Sequence, residues 1–373
     1  MQDHGPGGRN RALPRQFGTI VGRALAATAL LAMVALVIPN PAAAGGDRLQ
    51  RMLDRFLEAE ELDGGVLLVS GPTGRRVVVS GVADRRGGTP VTEDTRFYVA
   101  SVGKMATAVA VLQQVEEGLI ALDQPVRELV GDLPLGRLAN ANRARLVHLL
   151  DHSSGIPDYV TDAYEADEQA RPDLPRGASL LAYAHGEPAA GPVGGQYEYS
   201  NSNYVLLGHI AAVRDGAPFP RVLERRVLAR AGMGATTVGA DPRDRRLAHG
   251  YTDEGDVSRR SWAATTGDGP LVTTAGDLER FIFALFRDGR LLGPSLVARM
   301  QVPSEQEAGQ GLGLALAKDR WGRSVGHDGR YDGFEADVRY YPGRRTALIV
   351  LTNGNQRSDD SVLDAVAAEL FRE

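Results

Sequence analysis

The chain has 373 residues, 43% of them hydrophobic and 24% charged, with a net charge of −5 and no cysteine. That is an ordinary globular composition and excludes a disordered or fibrous chain; its interspersed charges leave no basic footprint for DNA or RNA. Without cysteine there is no disulfide and no lipid-bearing thiol, so a packed core alone must hold the fold.

In chain order, Arg9, Arg11, Arg15 and Arg23 precede the apolar run 24–38, Pro39 and Pro41 break it, and Ala42 and Ala44 form an A-x-A arrangement before Gly45. The spacing predicts a signal peptide over 1–44, cut after Ala44, and a secreted or periplasmic mature protein over 45–373. The alternative, an uncleaved anchor, needs roughly 18 apolar residues, and this run is shorter; no stable membrane span is expected after cleavage. Next comes a helical periodicity over 47–62, then two strands over 64–84 around the turn "GPTG". From 101 to about 299 the pattern is mainly helical, in pieces such as "MATAVAVLQQVEEGL", "SNYVLLGHIAAVRDG" and "TAGDLERFIFALFRDG" between Gly/Pro-rich loops. Strands return with "GLGLALAK", "FEADVRYYP" and "TALIVLTN", and a helical "SVLDAVAAELFRE" closes the chain. The economical architecture is α+β: an antiparallel sheet flanked by helices, built from about 45–100 plus 300–373, with a mainly helical lobe over 101–299 inserted between its halves.

Ser101 and Lys104 raise the chemical question, because only two lysines stand in a chain that otherwise uses arginine. At the start of a helix, positions i and i+3 share one face, so the amine sits beside the hydroxyl. A serine hydroxyl is a weak nucleophile until a neighbour takes its proton; a desolvated lysine can do that and a guanidinium cannot. Taken alone, S-x-x-K also describes a helix cap followed by a solvated lysine. Two companions decide the reading: Tyr199, Ser200 and Asn201 on a loop before a helix, and His327 and Gly329 at the junction of a strand and a turn.

In that order, "SVGK", "YSN" and "HDG" resemble the S-x-x-K, Y-x-N and H-x-G motifs of the penicillin-recognising serine hydrolases. The branch resembled holds class C β-lactamases, D-alanyl-D-alanine carboxypeptidases, D-aminopeptidases and related esterases. The phrases "LLDHSSGIPDY", "NYVLLGHI", "LVTTAGDLERF" and "GLGLALA" match family habits as well, so the likeness runs over essentially the whole mature chain.

The resemblance implies that Ser101 is the nucleophile of an acyl-enzyme and that Lys104 helps to deprotonate it. It implies that Tyr199 is a general base and then an acid to the leaving group, and that Asn201 binds Lys104 and the substrate amide. Lys104 and Tyr199 both stand as the first base. The backbone N–H groups of Ser101 and Arg330 would form an oxyanion hole, Gly329 would leave room for substrate, and His327 would orient Tyr199 or a substrate carboxylate. Trp262 would wall the site.

Each residue also has a plainer reading: Tyr199 as packing, Asn201 as a helix cap, His327 as a core histidine. His148, His152, His185, His209 and His249 lack ligand spacing and read as structural or surface residues; no metal and no cofactor is implied. No G-x-S-x-G surrounds Ser101, which argues against an α/β-hydrolase, whereas a triad of Ser101, His327 and Asp328 would need neither Lys104 nor Tyr199. The substrate is open. His327 in place of lysine favours a peptidase or broad hydrolase over a dedicated β-lactamase. Asp328 would repel a substrate carboxylate if it faced the cleft, and Ala315 offers no cation. The expectation is an exported, monomeric, metal-free serine hydrolase acting on D-amino-acid peptides, β-lactams or small esters. The alternative from a different class is a non-hydrolytic receptor for cell-wall peptides or β-lactams on the same fold.

Overall fold

The computed structural model describes residues 48–171, 177–259, 266–358 and 361–372; the leader 1–44 and Trp262 lie outside the described residues. Helix α1 (Arg48–Glu60) buries Leu49, Leu53 and Leu57; spaced by four, they form one stripe along the helix. The hairpin of β1 (Gly64–Gly71) and β2 (Gly74–Asp84) follows, with β3 (Thr89–Pro90) as a short edge. The sheet resumes more than two hundred residues later with β4 (Ala315–Asp319), β5 (Gly322–Tyr331), β6 (Phe334–Tyr341) and β7 (Thr346–Thr352). Its seven strands run in the order β3-β2-β1-β7-β6-β5-β4. The earliest strand pairs antiparallel with the last, from Gly65 opposite Thr352 to Ser70 opposite Ala347.

Both faces of the central strands are covered, which is why β1 and β7 read as near-continuous apolar runs rather than alternating ones. On the outer face Leu67, Val69, Leu348 and Val350 pack with the α1 leucines and with Val362, Leu363 and Val366 of the C-terminal helix Val362–Leu370. On the inner face Val66, Leu68, Val338, Ile349 and Leu351 join the main core. Each such side chain gains about 1.5–3 kcal/mol from burial.

Between the two halves of the sheet lie α2 (Lys104–Glu116), α3 (Asn201–Asp215) and α4 (Ala275–Phe286), with shorter helices. Every side chain of α2 from Lys104 to Gln114 is buried, so this helix runs through the middle of the molecule. A 3-10 turn, Ala100–Gly103, precedes it, placing the true helix start three residues later than the sequence pattern suggests. Residues 323–331, read as a strand–turn junction, are instead one continuous strand, with His327 opposite Val338 and Gly329 opposite Ala336. Glycines lower local strand propensity here, and pairing with β6 overrides them. Among the described residues no helix is long and apolar enough to cross a membrane.

Candidate active site

Lys104 is 0% exposed among the alanines, valines and Met105 of α2. An ammonium taken out of water is costly unless its hydrogen bonds are replaced. Here Nζ has three partners: Ser101 Oγ at 2.9 Å, Asn201 Oδ1 at 2.8 Å and the Asp268 carbonyl at 2.7 Å. The set suits either protonation state. As an ammonium, Lys104 donates to all three; as a neutral amine, it donates to the two carbonyl-type oxygens and keeps its lone pair for the serine proton. Ala100, immediately before Ser101, sits at φ 43°, in the left-handed region that a non-glycine residue rarely adopts.

Tyr199 also reaches Ser101, with its hydroxyl 2.9 Å from Oγ. It is 39% exposed, which opens the reacting side to solvent. Asn201 begins α3 and bridges inward, its Oδ1 accepting from Lys104 and its Nδ2 donating to Asp158 Oδ2 at 2.9 Å. Burial pushes the Asp158 carboxyl up, against hydrogen bonds from Asn201 and Val160 that draw it down. Asp268, whose carbonyl holds Lys104, has its carboxylate bound by Tyr159 at 2.7 Å and by Thr266. Burial and then the Asp268 charge push the Tyr159 phenol well above its ordinary range, so Tyr159 stays a hydrogen-bond donor.

His152, read from the sequence as structural, lies beside the site: its ring stacks on Tyr199 with centroids 4.4 Å apart. Asp158, Tyr159 and His152 all come from the stretch "LLDHSSGIPDY", whose polar residues alone gave no spacing to single them out. Asp268 contributes through its backbone as much as its side chain, and sequence carries no signal for that.

Strand β5 closes the cleft. A Cβ built on Gly329 would lie 2.4 Å from the Val99 carbonyl and 2.9 Å from Ser101 N, so only glycine lets the strand approach the nucleophile turn this closely. His327 faces inward with Gly329. Its Nδ1 donates to the Asp328 carbonyl at 2.5 Å, and burial, then Lys104, lower its basicity. Among the described residues it makes no hydrogen bond to Tyr199, one of the two partners expected for it.

Asp328 corrects a further expectation. Opposite Asp337 it falls on the outer face, exposed, lining a separate cavity with Phe56, Glu335 and Arg339. Its carboxylate therefore neither repels a substrate in the cleft nor completes a triad with His327. Arg330 points outward too, its guanidinium donating to Glu335 Oε2 at 3.3 Å and the Gln356 carbonyl at 2.7 Å. Arg330 also lines the cleft. The cleft, of about 240 Å³, is lined by Ser101, Tyr199 and Asn201 and walled by Tyr98, Tyr159, Tyr164 and Tyr331.

Residues 49–372 match the family described as Beta-lactamase. The chain belongs to the Beta-lactamase family. Among its relatives is penicillin-binding protein 4 of Amycolatopsis lactamdurans, 28% identical over 87% of this chain and 88% of its own. Penicillin-binding protein 4* of Bacillus subtilis is 25% identical over 87% of this chain and 75% of its own. Of solved structures, the D-amino acid amidase from Ochrobactrum anthropi SV3 superposes with a TM-score of 0.72 at 27% identity, over 86% of this chain and 96% of that one. The chain is thus a serine hydrolase of the Beta-lactamase family, with the α+β fold expected from its sequence.

Proposed function

We propose that this Beta-lactamase-family hydrolase is exported and works through an acyl-enzyme on Ser101, cleaving D-amino-acid peptides or amides, β-lactams or small esters. The observation that carries the reading is the double contact on one oxygen: Ser101 Oγ lies 2.9 Å from both Lys104 Nζ and the Tyr199 hydroxyl. In the first half-reaction Ser101 Oγ bonds to the substrate carbonyl carbon and its proton passes to Lys104 or Tyr199. The bond from that carbon to the leaving nitrogen or oxygen then breaks, and Tyr199 protonates the leaving atom. Water reverses the sequence and releases the acid. Backbone N–H groups of Ser101 and Arg330 stabilise the oxyanion, a role supported by the packing of β5 against the nucleophile turn. The outward side chains of Asp328 and Arg330 remove both an objection to a carboxylate-bearing peptide and a cation to anchor it. The D-amino acid amidase among the structural relatives favours an amide or peptide substrate.

The leader over 1–44 supports export, and a mature N-terminus at or near Gly45 outside the cytoplasm is its check; an intact leader on membrane-bound protein overturns it. The activity is tested by labelling with a fluorophosphonate and a fluorescent penicillin, with parallel assays on a chromogenic acetate ester, a β-lactam, a D-amino-acid amide and a D-Ala-D-Ala peptide. An adduct on Ser101 that is absent from Ser101→Ala is expected. No adduct with any probe would make the cleft a receptor instead.

A further inference from the structure

His152 is buried beside the reacting groups and carries features that cost stability. Its φ is 59°, in the left-handed region, and among the described residues its buried Nε2 has no hydrogen-bond partner. Nδ1 accepts from the Ser200 N–H at 3.1 Å. The single proton must therefore sit on Nε2, leaving a neutral ring, in line with the loss of basicity that burial, Lys104 and His327 impose. The ring lies against Tyr199 with centroids 4.4 Å apart and planes 23° apart. Lys104 Nζ lies 5.0 Å from the centroid of the same Tyr199 ring, and the Tyr204 ring backs His152 at 5.1 Å. Tyr199 is 39% exposed, on a loop just before α3, so beyond Ser101 and Lys104 the ring of His152 is what backs it.

We propose that His152 is a positioning residue for Tyr199: the neutral imidazole, fixed by the Ser200 N–H and backed by Tyr204, holds the phenol against Ser101 and within the field of Lys104. Offset stacking of two aromatic rings supplies the orienting contact. A neutral ring is required, because an imidazolium would present a hydrogen to the Ser200 N–H and a second cation beside Lys104. Titratable groups about Tyr199 and His152 include Lys104, Tyr197, Tyr204 and His327, and Tyr159, Tyr331, Asp268 and Arg330 line the same cleft. Lys104 holds its amine 5.0 Å from the centre of the Tyr199 ring, and a phenol that drifts from Ser101 loses the contact through which it exchanges the proton.

This inference rests on Tyr199 acting as acid and base in the hydrolase reading, and the wild-type enzyme separates the two. If wild type neither labels nor turns over any substrate of the panel, the hydrolase reading fails; if it is active, His152 can be judged alone. The experiment measures kcat and KM of full-length protein on the most active substrate, for wild type, His152→Asn and His152→Phe, normalised to folded protein by thermal melting. Asparagine tolerates the left-handed backbone and can accept from Ser200, but has no ring; phenylalanine keeps the ring and loses the acceptor. The expected result is a drop in kcat of at least tenfold for His152→Asn with KM within threefold, partly restored in His152→Phe. A His152→Asn enzyme with wild-type kcat, or one whose loss lies in KM rather than kcat, would overturn the proposal. So would a folded His152→Phe enzyme no better than His152→Asn, because the ring face would then not be what matters. Should His152→Phe not fold, the split between kcat and KM in His152→Asn decides.

Discussion

Gly329→Ala puts the approach of β5 to the nucleophile under direct strain. The added methyl would sit 2.4 Å from the Val99 carbonyl oxygen, 2.9 Å from Ser101 N and 3.1 Å from Val102 N, and ordinary contact begins near 3.4 Å. Relief therefore needs a displacement of about 1 Å, and all three obstructing atoms are backbone, so no side-chain rotation supplies it. Overpacking of this kind costs about 1–3 kcal/mol, which in a chain this long lowers the melting temperature by only a few degrees. The catalytic effect should be larger, because a shift of about 1 Å between reacting groups costs roughly a hundredfold in rate. Thermal melting followed by circular dichroism, beside kcat/KM and the rate of fluorophosphonate labelling, separates the two effects. A variant that melts within a degree of wild type and labels at the wild-type rate would refute the argument that this backbone contact sets the geometry at Ser101.

Tyr199→Phe should lower kcat/KM by about a hundred- to ten-thousand-fold while folding normally; unchanged turnover on every substrate would leave Lys104 as the sole base. Lys104→Arg, in a site with no space for a guanidinium and no proton to shuttle, should abolish labelling, whereas retained activity would restore the triad reading. Asp328→Thr should change kcat/KM for a carboxylate-bearing peptide and for a neutral acetate ester by the same small factor, because the side chain lies on the outer face; a selective gain on the charged substrate would place it in the cleft. At Asp215, burial raises the carboxyl, but hydrogen bonds from Arg226, Gln114 and Arg225 outweigh it and hold the pKa at about 2. Since that is below the unfolded value, the stability it adds is present above about pH 4 and is lost as pH falls toward 2; Asp215→Asn should flatten the dependence of melting temperature on pH in that window.

Elements with strong periodicity were legible from sequence: the leucine stripe of α1, the apolar runs of β1 and β7, and the helices after Ser101 and Ser200 all fall within a few residues of their expected bounds. β5 was not, because its glycines serve a tertiary contact rather than strand propensity. Ser101 and Lys104 pair through a helical spacing that could be read directly, while the convergence of Tyr199 and Asn201 on them was implied by the likeness of "YSN" to a family motif. The supports of those groups could not: Asp268 acts through a carbonyl, and His152 through the face of its ring. The orientation of Asp328 depends on strand alternation, so it became legible only once β5 was seen to run unbroken through residue 328.

The pairing of β1 with β7 also has a consequence for biosynthesis. A chain synthesised as far as residue 300 already contains Ser101, Lys104, Tyr199 and Asn201, but its first hairpin lacks the strand that must lie beside it and the nucleophile turn lacks β5. Contacts of such long sequence separation form slowly, and only once the strands after residue 314 have been made. Until those strands are made the cleft is incomplete, and hydrolytic competence arrives with them.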